Sequence, residues 1–185
     1  VDKNCYYALM DDGKFEIAWG VSAKDVTKTY KISYKIVDAV KNYNDCSEFY
    51  WQFISTDSEI PANLVQGTIK LPTQVVNKED LKVWAHGPLN GNIEIISNDT
   101  VKFEVQDFDK NTMLEARVVT PTNIFSLNKN ETNQKNLDAI LEQEQKWADE
   151  ANAKREKMLK QEQERKELLI KGFIVFNIIG LVVAI

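Results

Sequence analysis

The sequence predicts a mainly β fold: an antiparallel β-sandwich, immunoglobulin-like in outline, followed by a long C-terminal helix that runs into the start of a transmembrane helix. Three observations lead there. Short β-forming segments recur across residues 1–125, with turn signals roughly every ten residues. From 136 to 171 the chain contains neither Gly nor Pro, and strong helix formers dominate. Residues 172–185, GFIVFNIIGLVVAI, are almost purely apolar.

Taken in order, 15–20 is a first candidate strand. Residues 30–37 alternate with period two, placing Tyr30, Ile32, Tyr34 and Ile36 on one face and Lys31, Ser33 and Lys35 on the other. Segment 48–54 puts Phe49, Trp51 and Phe53 on one face and leaves Tyr50 as a candidate exposed aromatic. Segment 65–71 stops at Pro72, which has no N–H for a ladder. Segments 82–85 and 92–96 flank a turn region with Gly87-Pro88 and Asn90-Gly91. Two more strands, 101–108 and 113–119, surround the hairpin-like Asp109-Lys110-Asn111. No helical pattern interrupts the series, so an alternating α/β fold is excluded.

Residues 126–135 are Asn-rich and read as a linker between the β domain, 1–125, and a helix over 136–171. Leu137, Ile140, Leu141, Trp147, Ala148 and Ala151 recur at three- and four-residue steps, a candidate interface stripe. The stripe breaks at Lys154, Gln161 and Arg165. Beyond it the helix reads as a charged stalk, supported by pairs such as Glu150–Lys154 and Glu162–Lys166. At 1.5 Å per residue it makes a rod of about 50 Å. One continuous helix is expected to carry the chain from the stalk into the bilayer at 172–185. A spanning helix needs about 20 apolar residues, so the chain reads as a fragment cut inside that helix.

The formal net charge of −5 and pI near 5.1 give no basic surface for nucleic acid. Cys5 and Cys46 fit no CxxC motif and read as free or buried thiols, with pairing open in an oxidising space. His86, the only histidine, lies in Trp84-Ala85-His86-Gly87-Pro88-Leu89-Asn90-Gly91. As a general base it would serve a hydrolase. The plainer expectation is a turn or interaction motif formed by Trp84, His86, Gly87, Pro88, Asn90 and Gly91, with the imidazole capping a backbone group. A lone histidine supports no metal site. Asp107-Phe108-Asp109-Lys110-Asn111 opens like a calcium loop but has Thr112 and Val118 where Gly and Glu are needed. Trp19, Tyr43, Trp51 and Trp84 read as core more readily than as stacking surfaces. The sequons at Asn98 and Asn130 read as chance. No cofactor or nucleotide motif is present.

Several landmarks together resemble the YciQ-like predicted membrane proteins of bacteria: Tyr34 in a Y-x-I-x-Y strand, Asp45 before Glu48-Phe49-Tyr50-Trp51, Ile69-Lys70-Leu71-Pro72, Trp84 to Gly91, Glu115-Ala116-Arg117-Val118, and Trp147-Ala148-Asp149-Glu150-Ala151-Asn152. The resemblance implies a signal peptide and leading strands upstream of this chain, and an extracytoplasmic sandwich anchored at the cell membrane. It implies no known catalytic residue. Where relatives commonly carry a tryptophan, this chain has Ile60-Pro61-Ala62. The expected function is binding or assembly at the cell envelope, with lipid and an envelope or membrane protein as partners. The alternatives are an envelope hydrolase with a site near His86 and a purely structural subunit using the helix stripe.

Overall fold

The computed structural model describes residues 6–11, 14–21 and 24–183. They fall into two compact units, Val1–Ile36 and Val37–Ile185. In the first, β1 (Tyr6–Asp11) and β2 (Lys14–Trp19) pair antiparallel, from Tyr6 opposite Trp19 to Asp11 opposite Lys14. β2 is the strand expected at 15–20. β1 escapes sequence reading because Tyr6-Tyr7-Ala8-Leu9-Met10 is apolar on both faces and shows no alternation. Trp19 and Tyr30 place their rings 5.5 Å apart.

The strand expected at 30–37 is not formed. Among the described residues no strand pairs with this segment, and Tyr34 and Val37 are 70% and 73% exposed. Alternation sorts side chains onto two faces, but a strand also needs a neighbour for its backbone groups. That neighbour is a tertiary matter.

In the second unit the strands are β3 (Val40–Asn42), β4 (Ser47–Ile54), β5 (Ala62–Lys70), β6 (Lys82–His86), β7 (Asn92–Ser97), β8 (Thr100–Phe108) and β9 (Leu114–Thr120). They form one four-stranded sheet, β3-β4-β9-β6, and one three-stranded sheet, β5-β8-β7, antiparallel throughout. Both sheets contribute to the same core. Val101 of β8 and Val118 of β9 are buried together with Leu71, Val75, Leu81 and Ile124. Phe103, Val105 and Phe108 of β8 meet Leu114 of β9. Gly67, opposite Phe103 in the register, leaves the space that the Phe103 ring fills. A register shift between Gln52 and Ile54 turns Phe53 onto the same ring, at 5.0 Å.

β9 is the sheet's most buried strand, because both of its faces are covered. Leu114, Ala116 and Val118 face the core between the sheets. Val119, on the other face, packs with Cys46 and Ile140. Ile140 belongs to α1 (Leu137–Val183), a helix of 47 residues, about 70 Å long at 1.5 Å per residue. α1 is continuous through Gly172. Among the described residues no helix is long and apolar enough to cross a membrane. The Glu162–Lys166 pair forms at 2.8 Å in exposed surroundings, where such pairs contribute little.

Residues 126–135 are tied down, and their asparagines do the tying. The backbone carbonyl of Asn130 accepts from the N–H of Asn42, and its side-chain amide donates to the Asp38 and Val40 carbonyls. Asn128 donates to Val40, and Asn44 donates to Asn133. The amide of Asn98 donates to Val75. Both sequon asparagines thus bind main chain.

Candidate functional site

The alternation of β9 that sends Ala116 and Val118 inward sends Glu115, Arg117 and Val119 to the opposite face. The ladder sets their neighbours. Tyr50 and Trp84 flank Arg117, while His86 stands opposite Glu115 and Glu48 opposite Val119. α1 lies across this face through Leu137, Ile140, Glu144 and Trp147. The result is a charged cluster sealed between sheet and helix.

Arg117 is its centre, 6% exposed, with Glu144 at 2% and Glu48 at 9%. Its Nη1 donates to Glu144 Oε1 at 2.6 Å and to Gln143 Oε1 at 2.8 Å. Its Nε lies 2.8 Å from Glu48 Oε1, but the N–H is not aligned on that oxygen, so the contact is an ion pair rather than a hydrogen bond. The guanidinium stacks 4.2 Å from the Tyr50 ring centroid and sits 5.7 Å from that of Trp147. Burying charge is costly unless it is paired and hydrogen-bonded, and arginine's planar fork allows both with stacking on an aromatic face.

Glu144 divides its carboxylate. Oε1 takes Arg117, and Oε2 lies 2.8 Å from His86 Nε2. The imidazole is edge-on to Trp147 at 4.9 Å and to Tyr50 at 5.8 Å. Its Nδ1 is shut off from solvent without a hydrogen-bond partner, 3.8 Å from Glu115 Oε2. That same oxygen accepts the Tyr50 hydroxyl at 2.6 Å. Burial, then the bond to Glu115 and its charge, push the Tyr50 phenol up. Tyr43 donates to Glu48 Oε2 at 3.2 Å and is raised by burial and by Glu48. Cys46, beneath the helix, is a buried free thiol pushed up to about 12, chiefly by burial. Cys5 lies outside the described residues.

Beside the cluster, a groove of about 650 Å³ runs between the 87–91 turn and α1, lined by Tyr50, His86, Leu89, Glu115, Trp147 and Ala151 among others. Gly87 has φ 152, and a Cβ there would stand 2.6 Å from the Met113 carbonyl oxygen. The N–H of Gly91 donates to Pro88, and Asn90 donates to Gln106 at 2.7 Å. Arg155 of α1 donates to the Leu89 carbonyl at 3.3 Å, closing one end of the groove.

The sequence motif at 84–91 therefore divides. Gly87, Pro88, Asn90 and Gly91 form the turn, while Trp84 and His86 belong to β6. The expectation that His86 caps a backbone group is corrected: strand β6 reaches His86, and its ring meets carboxylates instead. With Nε2 engaged and Nδ1 enclosed, neither nitrogen is presented for abstracting a substrate's proton. Tyr50 does alternate out of the core face, but that face is roofed by α1, so it is half-buried. The helix stripe packs on the chain's own sheet: Ile140 is buried, and Leu137, Leu141, Trp147 and Ala151 are half-buried. The structural-subunit alternative thereby loses the surface it relied on. Sequence reading missed Glu48, Glu115, Arg117 and Glu144 as a site. Glu144 gave one usable signal, since it sits at helical spacing inside the stripe, four residues after Ile140 and three before Trp147. The Asp107–Asn111 loop is not the hairpin tip the sequence suggested: β8 belongs to the three-stranded sheet and β9 to the four-stranded one, so the loop carries the chain from one sheet to the other, with Asn111 donating its N–H to the Ser58 carbonyl and its side chain to that of Thr56.

No curated protein and no solved structure matches the chain. The model of one family, described as the predicted membrane protein (DUF2207) N-terminal domain, matches residues 3–120. That span takes in every strand of both sheets and the sheet half of the cluster, and it stops at the end of β9, before the helix that supplies Glu144. With nearly two-thirds of its length under that model, the chain belongs to the DUF2207 family of predicted membrane proteins.

Proposed function

We propose that this chain is a membrane-held recognition module: an immunoglobulin-like β-sandwich outside the cytoplasm, carried by a helix that leads into a transmembrane segment at 172–185. One observation carries the reading. α1 is bonded to the sheet through Glu144, 2% exposed, and then continues as a single helix to Val183. A module loosely tethered to its anchor needs no buried ion-paired joint. A module whose orientation or state must be felt at the membrane does. The groove between the 87–91 turn and α1 is the recognition surface in this reading, because an occupant would touch sheet and helix together. Its lining joins apolar residues such as Leu89, Trp147 and Ala151 to the charged Glu115, Glu150, Lys154 and Arg155, which suits an amphipathic segment of an envelope or membrane protein.

The hydrolase alternative is weaker, because the imidazole's nitrogens are engaged or enclosed. The reading is tested in the full-length protein in its native membrane, in a Cys5→Ser background. Asn90→Cys should react with a membrane-impermeant thiol reagent in intact cells. Labelling only after lysis would place the module on the other side and overturn the reading. A photo-crosslinking residue at Leu89 should give a discrete adduct that the same residue at Glu94, on the three-stranded sheet, does not. Equal adducts at both positions would remove the groove from it.

A further inference from the structure

The imidazole of His86 stands between two carboxylates on two different elements. On the sheet side is Glu115 of β9, its register partner, with Oε2 3.8 Å from Nδ1. On the helix side is Glu144 of α1, with Oε2 2.8 Å from Nε2. A neutral imidazole has one N–H. Placed on Nε2, that proton serves Glu144 and leaves the Nδ1 lone pair facing Glu115 in a space closed to water. Placed on Nδ1, it leaves a lone pair against the much closer Glu144 oxygen. Only the doubly protonated ring can donate to Glu144 while its charge also pairs with Glu115.

The other groups around the ring do not change this count. From β4, Tyr50 has its hydroxyl on Glu115, and Glu48 is paired with Arg117. From β9, Arg117 is directed to Glu144 and Glu48. From α1, Gln143 accepts from Arg117, and Trp147 makes a T-shaped ring contact. Of the three carboxylates Glu48, Glu115 and Glu144, the guanidinium pairs with the first and last, and Glu115 has only the Tyr50 hydroxyl and the imidazole. Glu150, Lys154 and Arg155 of α1 line the adjoining groove, Arg155 donating to the Leu89 carbonyl. Within the cluster itself, the cation that a proton can add is the imidazolium.

We propose that His86 is a proton-operated tie between the sheet and helix α1. Taking up a proton lets the ring hold Glu115 and Glu144 at once and tightens the docked turns of the helix. Losing it leaves the Nε2–H on Glu144 without its charge and Glu115 without its partner, and so loosens the joint. The proton stays on the ring nitrogen, and no bond other than N–H forms or breaks. The inference stands independently of what occupies the groove. It makes the firmness of the joint, and so the orientation of the helix beyond it, a function of the surrounding pH.

The experiment uses the full chain, whose single histidine makes the imidazole signal unambiguous. Between about pH 8 and about pH 5, where an imidazole changes charge, amides of the docked turn around Glu144 should gain protection against hydrogen exchange, corrected for intrinsic rate. The gain should be roughly tenfold, the scale of one charge-assisted hydrogen bond. In His86→Gln, which donates and accepts without charging, the gain should vanish. In Glu115→Gln it should shrink, because the second acceptor is weakened. If His86→Gln keeps the wild-type profile, the protons belong to other groups and the proposal fails. Should that variant not fold, the wild type alone decides. The amide shifts of Glu144 and Trp147 must follow the imidazole titration with the same midpoint, and independence of the two overturns the tie.

Discussion

Arg117 does what its position on β9 demands rather than what its residue type prefers. A strand with one face in a core normally turns the other to water, and an arginine there would be solvated. Here α1 covers that face, so the guanidinium must be satisfied internally, by Glu48, Glu144, Gln143 and the Tyr50 ring. Replacing both sides of such a pair with apolar groups can be nearly neutral, whereas removing one side leaves buried charge uncompensated. Arg117→Leu should therefore lower stability by about 3–5 kcal/mol, because two carboxylates remain without their cation. Adding Glu144→Leu to that variant should recover part of the loss. Urea unfolding midpoints measure both, and a double variant no better than the single one would show that the charges are not coupled.

Helix α1 begins where a distant carboxylate fixes it. The N-terminal turn of a helix leaves backbone N–H groups without partners. Asp45, from the turn between β3 and β4, accepts from the N–H groups of Asn136 at 2.9 Å and Leu137 at 3.2 Å. Burial alone would raise its pKa, but the backbone N–H groups of Asn136 and Leu137 outweigh it, so the carboxyl is held below its usual 3.8. The sign follows. The cap's contribution is fully present above 3.8 and is lost as pH falls through the lower folded value. Asp45→Ala should cost about 1 kcal/mol at neutral pH. The gap between variant and wild type in thermal melts should close in acid below 3.8. A gap that persists there would mean the loss comes from packing rather than from the cap.

At the scale of the whole Val37–Ile185 unit, α1 has two regimes. Through about Ala151 it is part of the sheet's packing, and from Asn152 to Phe173 its side chains are exposed. Within α1, trypsin should therefore cut first among the lysines and arginines from Lys154 to Lys171, and more slowly at Lys146. The shortened product should keep the melting temperature of the intact chain. Rapid cleavage at Lys146, or a large drop in melting temperature, would mean that the exposed part of α1 supports the fold. Much of this was legible beforehand. Alternation located β4, β5 and β8, turn residues bounded β6 and β7, and the absence of Gly and Pro located the helix. All of these are properties of neighbouring residues in the chain. The segment at 30–37 misled because alternation says nothing about a pairing partner, and β1 was hidden because it has no polar face. The cluster as a whole was not legible, although His86 drew notice by itself and Glu144 lay at helical spacing inside the stripe. They lie tens of residues apart, and a charge on a strand or helix reads as solvated until something covers it. By itself the sequence determined the mainly β class, the long helix and the family. Only the tertiary structure decided that the helix folds back over β9, because burial and ion pairing depend on which surfaces meet, and no local pattern encodes that.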